Sequence, residues 1–254
     1  MGTRTSYPPG TFSWVDLATS DPDAARVFYT SLFGWDADDG DDGKGGTYTT
    51  FRNDGDAVCG LTSTPSGASG PAWTNYVTVA DADEAAARAG ELGGVSGPAF
   101  DVLDLGRMAV LTDPQGAAFA LWQPKASIGA ERVNDLGCLT MNELVTTDID
   151  AARSFYEQLF GWRTEAVDTG PDGPVIVSVY NGDTLNASLG VAAGVPPHWR
   201  PYFTVTSTEA AVERVRALGG SLLFGPFPIP AGSMAGVLDP QGAVFALFEG
   251  EVDP

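Results

Sequence analysis

The chain has 254 residues, 43% of them apolar, enough to bury one large core or two ordinary ones. Its 33 acidic and 13 basic side chains leave a net charge of −20, a field that repels phosphate backbones and anionic lipid. A single histidine and two cysteines argue against a histidine-rich metal centre, a thiolate zinc site and a disulfide framework.

Phe12 to Ala18 alternates and is rich in strand formers. Asp21 then offers an N-cap with Pro22 at the first helical position. Ala25, Phe28, Tyr29, Leu32 and Phe33 make the stripe of an amphipathic helix that Gly34 can end. Strands are expected around Trp35, over Tyr48 to Arg52 and over Ala57 to Thr62. The acidic run Asp36, Asp38, Asp39, Asp41 and Asp42 lacks the order of an EF-hand and reads as a solvated loop. Thr74 to Val79 is a further strand, and Asp81 to Leu92 a helix stopped by Gly93-Gly94. Strands near Val95 to Phe100, Met108 to Leu111 and Ala117 to Trp122 close the half. Asp113-Pro114-Gln115-Gly116 carries the signature of a type I turn joining the last two.

The second half repeats the first. Asp21 to Trp35 recurs as Asp148 to Trp162 with 11 of 15 positions identical, and Asp113 to Leu121 recurs as Asp239 to Leu247 with 8 of 9. Each half also carries a charge of −10, from 17 acids and 7 bases, then 16 and 6. The expected division is a domain over 1–122, a linker over 123–137 and a second domain over 138–254. Each half reads as βαβββ twice.

The blocks ending Phe28-Tyr29…Leu32-Phe33-Gly34-Trp35 and the closing Asp113-Pro114-Gln115-Gly116 hairpin, both duplicated, resemble the vicinal oxygen chelate superfamily. That superfamily includes glyoxalase I, bleomycin-resistance proteins and extradiol dioxygenases. The resemblance runs from about Thr11 to Leu121 and from Leu139 to Phe248, and is strongest to the two-domain glyoxalase-like proteins of actinomycetes. It implies an α+β fold in which four βαβββ units form two glyoxalase-like domains with curled mixed sheets. It also implies a cleft that usually holds a divalent metal. The implied ligand places fall on Trp14 and Met141, near Thr74 and Arg200, and on Ala120 and Ala246. A hard divalent ion needs imidazole nitrogens or carboxylate oxygens at about 2.0–2.2 Å, which these side chains cannot supply. No metal and no other cofactor is expected, and glyoxalase or dioxygenase chemistry is disfavoured.

Alternate strand residues share a face, so Trp14 brings Asp16 to the cleft and Met141 brings Glu143. Tyr76 and Trp122 join the first cleft, Arg200, Tyr202 and Phe248 the second. The opposite parity, including Val15, Leu17, Val77 and Phe119, should pack under the helices, with Trp73 and Trp199 in the core. Asp16 and Glu143 would have raised pKa values if desolvated, and could move a proton, anchor a cation, or serve as hydrogen-bonded structural acids. Arg200 either turns inward, to pair with Glu143 or to hold an anionic group of a ligand, or lies at the surface. His198 reads as a turn residue, and Cys59 and Cys138 as buried thiols.

The expected function is metal-free binding of an aromatic or cationic small molecule, a drug or secondary metabolite, on a hollow lined by Trp14, Tyr76, Trp122, Met141, Arg200, Tyr202 and Phe248. The alternative is a metal-independent acid–base enzyme of isomerase, cyclase or lyase type that uses Asp16 or Glu143. Neither nucleic acid nor membrane is an expected partner: no apolar run approaches the roughly 20 residues of a span. Met1 to Gly10 lacks the regions of a signal peptide, so a cytoplasmic location is expected. Monomer and homodimer both agree with four units in one chain.

Overall fold

A computed structural model describes residues 2–43, 45–64, 70–168, 175–192 and 194–252. The first half runs β1 (Phe12–Thr19), α1 (Pro22–Phe33), β2 (Asp36–Asp41), β3 (Thr47–Asn53), β4 (Asp56–Ser63), β5 (Ala72–Thr78), α2 (Ala82–Glu91), β6 (Val95–Ser96), β7 (Phe100–Val102), β8 (Gly106–Thr112) and β9 (Ala118–Pro124). The second runs β10 (Leu139–Thr146), α3 (Ile149–Phe160), β11 (Arg163–Ala166), β12 (Ile176–Asn181), β13 (Thr184–Val191), β14 (His198–Thr204), α4 (Thr208–Ala217), β15 (Ser221–Ile229), β16 (Gly232–Leu238) and β17 (Val244–Gly250).

Each half forms one curled mixed sheet, so the architecture is α+β with two βαβββ units per sheet. The first sheet has the order β2-β3-β4-β1-β5-β9-β8-β6, with β7 on β8. The second has the matching order β11-β12-β13-β10-β14-β17-β16-β15. In both, the opening strands of the two units, β1 and β5 or β10 and β14, pair antiparallel at the centre.

Local chemistry explains the repeated helices. The Asp21 carboxylate accepts from the Ala24 N–H at 3.0 Å, and Gly34 ends α1 in the left-handed region at φ 77°. Asp148 and Gly161 do the same for α3, at 3.0 Å and φ 71°.

Two expectations are corrected. The acidic run is a strand rather than a loop: Asp36–Asp41 pairs with β3 along its length while its side chains stay mostly exposed. Arg26 pairs with Asp39, and Arg52 pairs with Asp38 at 2.6 Å, which relieves the repulsion. Charge along an edge strand also blunts pairing with other chains. The expected strand over Val95 to Phe100 is broken, because Gly97-Pro98 follows β6 and proline has no N–H for the ladder.

The core is shared between the halves. One cluster joins Val15, Phe28 and Tyr29 of the first unit to Phe203, Val212 and Phe245 of the fourth. The other joins Val77, Phe119 and Leu121 of the second unit to Phe155, Tyr156 and Trp162 of the third. Trp73 and Trp199 lie in these clusters, as expected from their parity. The two repeated motifs meet across this boundary. Tyr29 donates to Asp239 at 3.0 Å, and Tyr156 donates to Asp113 at 3.1 Å. Each of those aspartates uses its other oxygen to accept from its own hairpin backbone. Trp35 and Trp162 donate to the carbonyls of Gly137 and Gly10, at 2.8 and 2.7 Å. The segment between the sheets packs down as well, with Ala130 and Val133 buried. Among the described residues, no helix is long and apolar enough to cross a membrane.

Candidate functional site

On the first sheet, register rather than loop geometry assembles the concave face. Asp16 stands opposite Thr74 on β5 and Gly60 on β4, Trp14 opposite Tyr76, and Tyr76 opposite Ala120 on β9. Tyr76, Ala120 and Trp122 form a small apolar cluster with Trp14, Val102 and Met108, separate from the shared cores. Asp16 is bonded to the Tyr76 hydroxyl of this cluster and is 7% exposed. Its Oδ2 accepts from the Tyr76 hydroxyl at 2.7 Å and from the Tyr48 hydroxyl at 3.4 Å. Tyr48 in turn accepts from the Trp14 indole N–H at 2.8 Å. Burial pushes the Asp16 carboxyl up to about 6, against the opposing hydrogen bonds of Tyr76, Tyr48 and Thr74. A Cβ at Gly60 would lie 1.9 Å from the Tyr48 hydroxyl, so any other residue there displaces Tyr48 from Asp16. Trp14, Tyr48, Thr74 and Met108 remain half-buried, so this face meets solvent.

The second face starts from the same register and ends differently. Glu143 stands opposite Arg200 and Met141 opposite Tyr202. Arg200 turns inward, which settles its orientation: its guanidinium and the Tyr202 hydroxyl both donate to Glu143 Oε2. The guanidinium also lies 4.6 Å from the centre of the Phe224 ring. Arg200 is 7% exposed and Tyr202 fully buried, so the chain supplies its own cation to this carboxylate. Met141 and Phe248 pack on Tyr202 and Ala246. His198, expected in a turn, opens β14 instead. Its Nδ1 lies 2.9 Å from the Pro196 carbonyl, and burial lowers its pKa.

Tyr48 is the site residue that sequence reasoning missed. Alternation in β3 could have found it, since Phe51 faces the core and Tyr48 therefore faces the cleft. Two recesses of about 830 and 240 Å³ lie away from both concave faces. They occupy equivalent places, one between α1 and α4 beside Phe33 and Ala211, the other between α2 and α3 beside Phe160 and Ala85.

The model of the Glyoxalase/Bleomycin resistance protein/Dioxygenase superfamily matches residues 11–121 and 138–247. The chain belongs to this superfamily. It is 39% identical over 256 residues to a Mycobacterium tuberculosis protein named "Putative glyoxylase CFP32", with 98% of each chain covered. It is 40% identical to "Anthracycline biosynthesis protein DnrV" of Streptomyces peucetius, covering 96% of this chain and 95% of that one. Among solved superfamily structures, the 2,3-dioxygenase LapB from Pseudomonas sp. KL28 superposes with a TM-score of 0.68 at 15% identity, covering 98% of this chain and 95% of that one. The Mn(II)-bound glyoxalase from Novosphingobium aromaticivorans gives 0.65 at 16%, with 97% and 85% covered. At these identities the structures share the fold alone.

The donor set does not fit the divalent ion that the superfamily implies. Among the described residues each concave face offers one carboxylate, and in the second a guanidinium already holds it. Among the described residues, no group of three His, Cys, Asp or Glu side chains is placed to hold a metal.

The buried carboxyl of Asp16 has a thermodynamic signature. A folded-state pKa near 6, above the ordinary 3.8, favours the fold below pH 4 and loses that contribution as pH rises through 6. Asp16→Asn removes the ionisation, so its stability relative to the parent should rise by about 2–3 kcal/mol between pH 4 and 7. Urea denaturation at a series of pH values checks this. A difference that stays flat with pH would mean that Asp16 titrates at its ordinary value.

Proposed function

We propose that this protein binds an aromatic or cationic small molecule, a drug or secondary metabolite, on the concave face of its first half and without a metal ion. One observation carries the reading. Asp16 is bonded to Tyr76, a member of the aromatic cluster with Trp14 and Trp122, and all its described hydrogen bonds come from neutral hydroxyls, so no cation of the chain holds it. Aromatic walls with one well-placed polar group are the usual make-up of a small-molecule site. The net charge of −20 favours the approach of cations. The name of the Streptomyces relative, which refers to anthracycline biosynthesis, supports a small-molecule ligand for this chain too. Within this reading the second face, closed by Arg200, Glu143 and Tyr202, serves the fold.

A second reading rests on the same carboxyl. A pKa near 6 lets Asp16 both give and take a proton close to neutral pH, with Tyr76 at 2.7 Å as its partner. That is the equipment of a metal-independent isomerase, cyclase or lyase.

Screening planar aromatic amines and phenols by thermal shift and tryptophan fluorescence tests the binding reading. Ligands are expected to raise the melting temperature and quench Trp14 or Trp122, and Trp122→Ala should abolish both effects. A panel in which no compound does either overturns it. Mass spectrometry of the incubated ligands tests the second reading: conversion that Asp16→Asn eliminates supports it, and conversion that Asp16→Asn leaves unchanged rejects it.

A further inference from the structure

The two concave faces descend from one repeated sequence but treat their carboxylates differently, and the difference reports on the ligand. In the second half, the cation beside Glu143 belongs to the chain. Arg200 donates to the carboxylate, shares it with the Tyr202 hydroxyl, and stacks on Phe224. That ring lies directly over Gly236, where a Cβ would come within 2.1 Å of it. The first half keeps the carboxylate and the tyrosine in the same register, as Asp16 and Tyr76. It lacks both other parts. Thr74 stands where Arg200 stands, opposite the carboxylate. Aligning the paired strands puts Gly97-Pro98 where the second half has Leu223-Phe224. Among the described residues, no Lys or Arg contributes to the environment of Asp16, and Thr74 beside it is half-buried.

Deepening the binding reading above, on which this inference rests, we propose that the first face recognises a protonated amine or amidine. Its cation takes against Asp16 and Tyr76 the place that the Arg200 guanidinium takes against Glu143 and Tyr202. The aromatic body attached to it lies along Trp14 and Trp122, the role that Phe224 plays for Arg200. Tyr48, whose counterpart in the second register is Ile176, adds a second hydroxyl to the first carboxylate. It holds the charge in one place without neutralising it. In the second face the Arg200 guanidinium already holds the carboxylate, so the chain offers one cation site. A buried carboxylate with only neutral partners gains a charge-assisted hydrogen bond when an ammonium or amidinium arrives.

The test uses benzamidine and its uncharged, near-isosteric counterpart benzamide, titrated calorimetrically into the full chain at pH 7.5. Benzamidine should bind one per chain and about tenfold or more tightly than benzamide, the ratio that a charge-assisted hydrogen bond supplies. Thr74→Arg copies the second half into the first and should abolish benzamidine binding. Asp16→Asn keeps the shape and removes the charge, so it should erase the preference whether or not Thr74→Arg folds. Equal binding of the two compounds overturns the cation inference and leaves the aromatic site standing. Two benzamidines per chain, or a preference that survives Asp16→Asn, overturns it as well. If neither compound binds, the small-molecule reading of this face falls with it.

Discussion

Glu143→Ala should destabilise the protein by about 3–5 kcal/mol, the usual cost of stranding one member of a buried ion pair. The variant leaves the Arg200 guanidinium 7% exposed and stacked on Phe224, with Tyr202 as its remaining partner at 3.5 Å. Arg200→Met should be costly for the mirror reason, since Glu143 then keeps only the Tyr202 hydroxyl. Replacing both by apolar residues should recover most of the loss, because desolvating the pair offsets much of its attraction. A double-mutant cycle from urea denaturation gives the coupling directly. If Glu143→Ala costs under about 1 kcal/mol, the guanidinium has escaped to solvent and the second face is not sealed.

Separating the halves should have the largest effect. A chain ending at Ser127 keeps Val15, Phe28 and Tyr29 but loses Phe203, Val212 and Phe245, which complete their cluster. It also keeps Phe119 and Leu121 without Phe155, Tyr156 and Trp162. Such a half should not fold as a monomer, since burying a large aromatic side chain supplies about 3–5 kcal/mol and several are lost at once. Because the units are duplicated, a self-complementary dimer of the half could rebuild the same contacts. Mixing the two halves should restore a cooperative transition. Sedimentation and thermal denaturation decide the matter: a folded, monomeric half with a sharp transition would mean that the shared clusters do not hold the fold together.

The repeated motifs make the four units and the faces of their central strands legible in the amino-acid sequence itself. Period-2 alternation is a local property, and Val15, Leu17 and Val77 are buried in the cores while Trp14 and Asp16 face the cleft. The helix ends follow for the same reason, because Asp21 and Gly34 act on their own backbone. What stays hidden depends on distance in space. Nothing in the spacing of Tyr29 and Asp239 says that a hydroxyl from one half reaches a hairpin in the other. The orientation of Arg200 is open in the sequence because a long side chain can serve a surface as well as a pair, and only Phe224 and Glu143 decide it. The acidic strand reads as a loop because four aspartates depress strand propensity, and pairing with β3 overrides it. Alternation in β3 gives the face of Tyr48, but β3 is two strands away from β1, so it does not say that the hydroxyl reaches Asp16.

The crossed bonds between the halves, Tyr29 to Asp239 and Tyr156 to Asp113, are those that two identical short polypeptides would make about a twofold axis. In such a pair of copies, every amino-acid change would appear in both concave faces together. Joining the copies through residues 125–138 removes that constraint. One concave face can then carry an arginine opposite its carboxylate while its sibling carries a threonine, and the two can evolve under separate demands.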